Sequence, residues 1–565
     1  MHLLNFFPLA LGLFHVAAGA TDASKLPPLL DATLDDLRTG LDNGLFTSVD
    51  LVKAYIGRIE DVDPQLRTML EINPDAISIA EELDAKLAKD GKPISPLHGI
   101  PIVVKGAIGT KDKMNTTAGS FALLGAMVED DSGVVKRLRK AGAIILGKTN
   151  MSQWSNVRSS NQPNGWTSVG GQTIGAYVPG QSPSGSSGGS GVAASIGLAW
   201  AAVGTDSTGS VVLPAAANNV VGIKPSVGLT SRYLVVPYSK DYDTVGPMTR
   251  TVKDTAFLLA AMAGPDPRDE ATNAIPNGGQ VPDYVAACRS DGLKGKRIGV
   301  PSISQLERLN YINESDSQAS REEFENALQV LKDAGAELVR DVPLPGVDFF
   351  DSKKGFRRLF RGVFATLGDA MRDYISKLTV NPNNLTSLQD ITNFTKNDKR
   401  EKFPEIFVNT FEGALEFPFN SSSQNYTKLL AGLRLVAGDQ GLTGAMKNNS
   451  LDAIVAPGGF FVNCASILGS PIITVPLGKG SDKAVVRLDR TWGMLNESAP
   501  NQPFGLSFAG PRFSEEALIG MAFAFEERTQ ERQKIEPFIK PKTELVDVLK
   551  QKEEKEKEKQ AEGKR

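Results

Sequence analysis

Histidine is almost missing from this chain: 565 residues contain three, His2, His15 and His98. No histidine follows position 98, so a serine-acid-histidine triad whose histidine comes last in the chain has no base. Cysteine is equally scarce, with Cys288 and Cys464 alone. Two cysteines cannot build a disulfide framework or a cysteine-rich zinc site; the sequence is compatible with one bridge or with two free thiols. Positive charge is not in excess, with 62 Lys and Arg against 65 Asp and Glu and a net charge of −3, which removes the electrostatic footprint of a nucleic-acid binder. Beyond the amino-terminal segment no apolar run reaches the roughly 18 residues of a membrane span. The best candidate, residues 192–203, is short and interrupted by Gly197. No cofactor and no metal are expected from this inventory.

Residues 3–16 are apolar and lead into Ala17-Ala18-Gly19-Ala20, small residues suited to cleavage after Ala20. The sequence therefore predicts a secretory signal over residues 1–20 and an extracellular mature protein whose one histidine is His98. Nine N-x-S/T sequons begin at Asn115, Asn150, Asn313, Asn384, Asn393, Asn420, Asn425, Asn448 and Asn496. Those between Asn384 and Asn425 lie in polar sequence and are the expected glycan acceptors. Asn115 and Asn150 lie near candidate catalytic segments and are expected to stay unmodified.

The remainder, residues 21–540, reads as one large α/β domain, a central mixed sheet covered by helices on both faces. A helix capped by Thr47 or Ser48 carries the stripe Leu51, Tyr55, Ile59 and Val62. Short apolar runs at 100–104, 143–146, 201–204, 220–223, 297–301, 337–342, 453–456 and 472–476 predict buried strands. Helical patterns at 134–141, 252–263, 320–334 and 514–532 lie between and after them, the last with a capping-like S-E-E start. Residues 345–450 are richer in aromatics, Asn and charge, and are expected to form a helical insertion that shapes a substrate entrance. Residues 541–565 are expected to be a charged tail, disordered or a solvated helix.

Two formal motif matches fail on physical grounds. Residues 142–149, G-A-I-I-L-G-K-T, fit a phosphate-loop pattern, but that loop needs a strand before its first glycine and a helix after its lysine. Here a helix precedes Gly142 and the intervening residues are strand-like. Residues 185–189, G-S-S-G-G, fit a nucleophile elbow with Ser187 at its centre, but no downstream histidine exists to serve it.

A serine nucleophile without histidine needs another base, and a buried lysine can supply it, because burial disfavours the charged amine. Lys105 ends the apolar run H-G-I-P-I-V-V-K. On spacing alone it is either a buried amine or a strand-end lysine reaching solvent. Downstream, P-S-G-S-S-G-G-S-G begins at Pro183 and G-T-D-S-T-G-S-V-V-L-P-A at Gly204, placing Ser186 and Ser210 24 positions apart.

These segments resemble the central block of the amidase signature family, G-G-S-S-G-G-S followed by G-T-D-x-G-G-S-I-R-x-P-A, with the same offset. V-V-G-I-K-P-S-V-G-L-T-S-R and D-T-V-G-P-M-T-R-T-V-K-D are similar to family segments further along. A-G-A-I-I-L-G-K-T-N-M-S-Q-W and G-W-T-S-V-G-G-Q are similar to the branch holding bacterial peptide amidases and their plant and fungal relatives. The resemblance spans about residues 30–535 and is densest over 97–265.

The resemblance implies a Ser-Ser-Lys triad: Ser210 as nucleophile, Ser186 as bridge after a cis peptide bond, and Lys105 as base. It implies an oxyanion hole from the backbone N–H groups of Ser207, Thr208, Gly209 and Ser210, with Ser187 and Asp206 supporting the loop. Arg250, Lys224 and His98 are expected to be structural. Three departures from the pattern bear on substrate preference: Gly106 in place of an acid, Thr208 in place of glycine, and Val211-Val212 in place of Ile-Arg. The implied activity is hydrolysis of a carboxamide, the substrate being a small-molecule or peptide amide. The alternatives are an inactive amide-binding relative and an amidotransferase subunit that supplies ammonia to charged transfer RNA.

Overall fold

The computed structural model describes residues 23–313, 318–489 and 491–562. The signal expected over residues 1–20 lies outside the described residues. Eleven strands form the central sheet: β1 (Met69–Ile72), β2 (Pro101–Lys105), β3 (Ile144–Thr149), β4 (Ala201–Asp206), β5 (Val221–Lys224), β6 (Thr244–Thr249), β7 (Arg297–Gly299), β8 (Glu337–Val339), β9 (Ala453–Pro457), β10 (Ile472–Lys479) and β11 (Pro503–Ala509). Their spatial order is β1-β3-β2-β4-β6-β5-β10-β11-β9-β7-β8. The sheet is mixed: β3, β2 and β4 run parallel, as do β9, β7 and β8, while β6, β5, β10 and β11 join these groups through antiparallel pairs. Every residue of β2, β3, β4 and β6 is buried. Side chains alternate between the faces of a strand, so both faces of this part of the sheet are covered.

The expected strands all form, with ends that shift by a few residues. One of these shifts is informative: β3 continues through Gly147, Lys148 and Thr149. The lysine of the phosphate-loop match is therefore inside a strand, with the helix Gly133–Lys140 before it. Its Nζ is buried and donates to Thr116 Oγ1 and the Ile108 carbonyl.

Helix starts follow local chemistry. Thr47 caps Ser48–Leu66 and Ser320 caps Arg321–Asp333, each in a reciprocal capping box with the acid three residues on. The S-E-E expectation at Ser514 is corrected. Glu515–Thr529 begins there, but the Ser514 hydroxyl donates to the Pro511 carbonyl and makes no cap bond.

Residues 345–450 are helical, from Pro345–Asp351 through the 24-residue helix Lys353–Ser376 to Leu442–Asn449. A short strand, Leu378–Val380, pairs with Met127–Val128. The carboxylate of Glu401 fixes this region to the body. It accepts from Ser120 Oγ, the Phe121 N–H, Gln153 Nε2 and Arg158 Nη1, and both charged side chains are fully buried.

The tail is a second correction. Leu545–Glu562 is a helix whose first turns are not solvated: Leu545 and Leu549 are buried against the core cluster that contains Leu51, Tyr55 and Ile59. Glu544 pairs with the buried Arg58, and Lys552 pairs with Asp50. The apolar residues that precede the Lys/Glu run anchor it, and from Gln551 onward the helix is mostly exposed.

Candidate active site

Register brings the candidate residues together. β2 and β4 are parallel neighbours with Val104 opposite Val203, so Lys105 and Thr205 emerge at the same end of the sheet. The loop carrying Ser186 leads into the helix Gly188–Ser195, which packs on β4. The loop carrying Ser210 follows β4 directly. A site at the carboxyl ends of parallel strands results.

Lys105 is fully buried. Its Nζ lies 2.7 Å from Ser186 Oγ, 2.8 Å from Thr205 Oγ1 and 3.4 Å from the Thr205 carbonyl. Burial lowers its pKa to about 7, against the opposing pull of the Asp206 and Asp243 carboxylates. Of the two readings left open for this lysine, the buried amine is the one observed.

Ser186 is also fully buried, and its peptide bond to Gly185 is cis. A Cβ at position 185 would come within 2.6 Å of Asn164 Oδ1 and Ser152 Oγ, so only glycine fits. The Ser186 carbonyl accepts from the Ser152 N–H at 2.9 Å, and the Ser187 N–H donates to the Ser210 carbonyl at 3.2 Å. The two serine loops are thus joined through backbone. Ser210 itself is half-buried. Among the described residues no hydrogen bond joins the Ser186 and Ser210 hydroxyls, a contact that tightens in many enzymes only when substrate is bound.

Ser187 and Asp206 order the loops. Ser187 Oγ donates to the Thr205 carbonyl at 3.1 Å and accepts from the Thr205 N–H at 3.3 Å. The Asp206 carboxylate accepts from the N–H groups of Gly209 at 2.8 Å and Val211 at 2.7 Å. Gly209 has φ +101°, and a Cβ there would meet Leu213 at 2.8 Å. The bond to Asp206 corrects the expected oxyanion set: the Gly209 N–H is already engaged by a carboxylate. Among the described residues the N–H groups of Ser207, Thr208 and Ser210 have no protein acceptor.

The remaining expected residues lie elsewhere. Arg250 donates to the carbonyls of Ala32, Ala194 and Ala199, and Lys224 to that of Ser470. His98 sits before the opposite end of β2, bonded to the Leu83 carbonyl. A Cβ at Gly106 would lie 2.4 Å from Leu70 Cδ1 and 3.2 Å from the Thr149 carbonyl, so a side chain there would require Leu70 to move. Cys288 and Cys464 are both free thiols. Among the described residues no group of His, Cys, Asp or Glu is placed to hold a metal, and no helix is long and apolar enough to cross a membrane.

Two site residues were not visible in the sequence reading. Thr205, the middle residue of G-T-D, accepts from the lysine through Oγ1 and its carbonyl; it sits one position beyond Gly204, which the parallel register sets level with Lys105. Asp243 carries no local signal at all. Its carboxylate is buried beside the loop, and burial raises its pKa to about 6. A cavity of about 320 Å³ opens here, lined among others by Thr205, Ser207, Tyr238, Asp243, Thr366 and Tyr374. The last two belong to Lys353–Ser376, so the helical region does form a wall of the cavity.

The family profile described as Amidase matches residues 50–460. The chain belongs to the amidase signature family. A relative from Arthroderma benhamiae, provisionally named an amidase, is 42% identical over 550 residues, covering 93% of this chain and 90% of the relative. The X-ray structure of native peptide amidase from Stenotrophomonas maltophilia matches with a TM-score of 0.78 at 34% identity, covering 90% of this chain and 98% of that one. A glutamyl-tRNA(Gln) amidotransferase subunit from Acidothermus cellulolyticus is 38% identical over 301 residues, 53% of this chain and 56% of the relative. The protein is an amidase-family hydrolase of amide bonds, with the mixed α/β fold of its solved relatives.

Proposed function

We propose that this amidase hydrolyses a linear carboxamide to a carboxylate and ammonia or an amine through an acyl-serine at Ser210, with Lys105 as base and Ser186 as relay. The observation that carries this is the buried Lys105 amine, 2.7 Å from Ser186 Oγ and with a pKa of about 7. As –NH2 it has one lone pair to accept from the Ser186 hydroxyl and two N–H groups for Thr205 Oγ1 and the Thr205 carbonyl.

Ser210 Oγ attacks the amide carbon while its proton passes to Ser186 Oγ and the Ser186 proton passes to Lys105 Nζ. The carbonyl oxygen becomes an oxyanion facing the free N–H groups of Ser207, Thr208 and Ser210. Collapse breaks the C–N bond, and the proton returns through Ser186 to the departing nitrogen. Water then adds to the acyl-serine while its proton passes through Ser186 to Lys105; collapse breaks the bond between the acyl carbon and Ser210 Oγ, the proton returns through Ser186 to that oxygen, and the carboxylate leaves. C-terminal peptide amides are the preferred substrate class in this reading, supported by the Stenotrophomonas maltophilia peptide amidase at 34% identity. Partial coverage of the amidotransferase relative disfavours the ammonia-supplying alternative.

A mass-spectrometric screen of peptide amides, aryl amides and fatty amides tests this. Amide-to-acid conversion by the wild type that disappears in Ser210→Ala supports it; a wild-type protein that turns over no amide sinks it.

The same reading includes secretion, with cleavage after Ala20 and glycans between Asn384 and Asn425. Asn384, Asn393, Asn420 and Asn425 are exposed, whereas Asn150 is buried and bonded to the Arg67 and Gly171 carbonyls. Amino-terminal sequencing of protein from the culture medium should begin at Thr21, and glycosidase treatment should lower its mass. Retention inside the cell without glycan contradicts this part.

A further inference from the structure

We propose that Asp243 and Tyr238 form a clamp that positions the oxyanion loop, holding Ser207 and Thr208 by their side chains so that their N–H groups face the reacting carbonyl. The inference rests on the amide-hydrolysis reading above and assigns positioning roles to two residues outside the triad.

The geometry follows from register. β4 and β6 are antiparallel, with Asp206 opposite Thr244. The next residue along β4, Ser207, therefore meets the residue before Thr244, which is Asp243. Ser207 Oγ donates to Asp243 Oδ1 at 2.5 Å. The other oxygen, Oδ2, accepts from the N–H groups of Tyr238 at 2.8 Å and Ser239 at 2.9 Å. The carboxylate thereby ties the 238–243 turn to the first residue of the loop. The same turn reaches the second residue: the buried Tyr238 hydroxyl lies beside the Thr208 side chain.

The loop is thus held from two directions. Asp206 takes the N–H groups of Gly209 and Val211 from within, and the clamp takes the side chains of Ser207 and Thr208 from outside. Neither carboxylate occupies the N–H of Ser207 or Thr208, so both donors remain available. Thr208 departs from the glycine of the family pattern, and a glycine offers Tyr238 no side chain to hold. The departure therefore gives this chain a second handle on the loop. A transition state needs donors placed before charge develops, and small displacements cost rate rather than affinity.

Four variants test this: Ser207→Ala, Tyr238→Phe, the two combined, and the rescue Ser207→Thr. None removes Asp243 or its two backbone bonds. Each is assayed on a peptide amide that the wild type hydrolyses, and by the rate of labelling with a fluorophosphonate, whose phosphoryl oxygen needs the same donors. Ser207→Ala is expected to lower kcat and the labelling rate together by about 10–100-fold, with KM within about threefold. Ser207→Thr should recover most of the loss, and Ser207→Ala/Tyr238→Phe should exceed either single change. Wild-type kcat and labelling in both Ser207→Ala and Tyr238→Phe overturn the clamp, as does a lower melting temperature with unchanged kcat, or a loss confined to KM. These outcomes differ from failure of the amidase reading itself, which appears as a wild type that neither turns over nor labels and which removes the clamp's purpose with it.

Discussion

Lys105 Nζ and Ser186 Oγ stand 2.7 Å apart where neither side chain meets solvent. Burial holds the amine at about 7, well below the ordinary lysine value of 10.5. As the proposed base, Lys105 works only when neutral, so activity is expected above this value and is lost as pH falls through it. We expect kcat/KM to drop about tenfold per pH unit on the acid side of neutrality. Lys105→Arg, which stays charged, should be inactive across the range. A pH–rate profile that is flat from about pH 5 to pH 8 contradicts the assignment.

Lys105→Met removes a buried amine and keeps its volume. The variant is expected to fold, because the desolvation cost of a buried cation that an apolar side chain avoids offsets the partner that Ser186 and Thr205 each lose. Its kcat should fall by about 10²–10⁴. Circular dichroism and steady-state assays of the same preparation check both halves, and unchanged kcat rules out the base.

The segments that carry Lys105, Ser186 and Asp206 stand out in the sequence because each is local. A strand ending in lysine, a glycine that admits no side chain at 185, and an Asp that gathers backbone amides all act within a few residues. What stayed hidden acts across the sheet. Thr205 reaches Lys105 only because β2 and β4 align in parallel, and Asp243 reaches Ser207 only because β4 and β6 align antiparallel. No pattern within either segment encodes that register. The packed start of the tail stayed hidden because its composition is dominated by Lys and Glu, while the two leucines that anchor it, Leu545 and Leu549, come before the charged run.

Glu401 is expected to matter for stability rather than chemistry. Its carboxylate is buried and bonded to Ser120, Phe121, Gln153 and Arg158. Removing one partner of such a pair leaves an uncompensated buried charge, a loss of about 3–5 kcal/mol. Glu401→Ala should lower the midpoint of urea unfolding accordingly. A midpoint matching the wild type contradicts the view that this carboxylate fixes the helical region to the body.

Asp206→Ala should damage both fold and rate. It strips the acceptor from the N–H groups of Gly209 and Val211, costing about 1–3 kcal/mol for each unsatisfied amide. It also loosens the Gly209 turn beside Ser210. Unfolding and kcat measured together should both fall; loss of stability with full kcat would mean that loop order is irrelevant to the reaction.

The most direct test of the central claim is the location of the covalent bond. Wild-type protein treated with a fluorophosphonate should gain one adduct, mapped by peptide mass spectrometry to Ser210, with turnover lost in step. Ser210→Ala should take up no label, and its kcat should be lower by about 10⁴-fold or more. An adduct on any other residue, or amide turnover surviving in Ser210→Ala, would contradict the account.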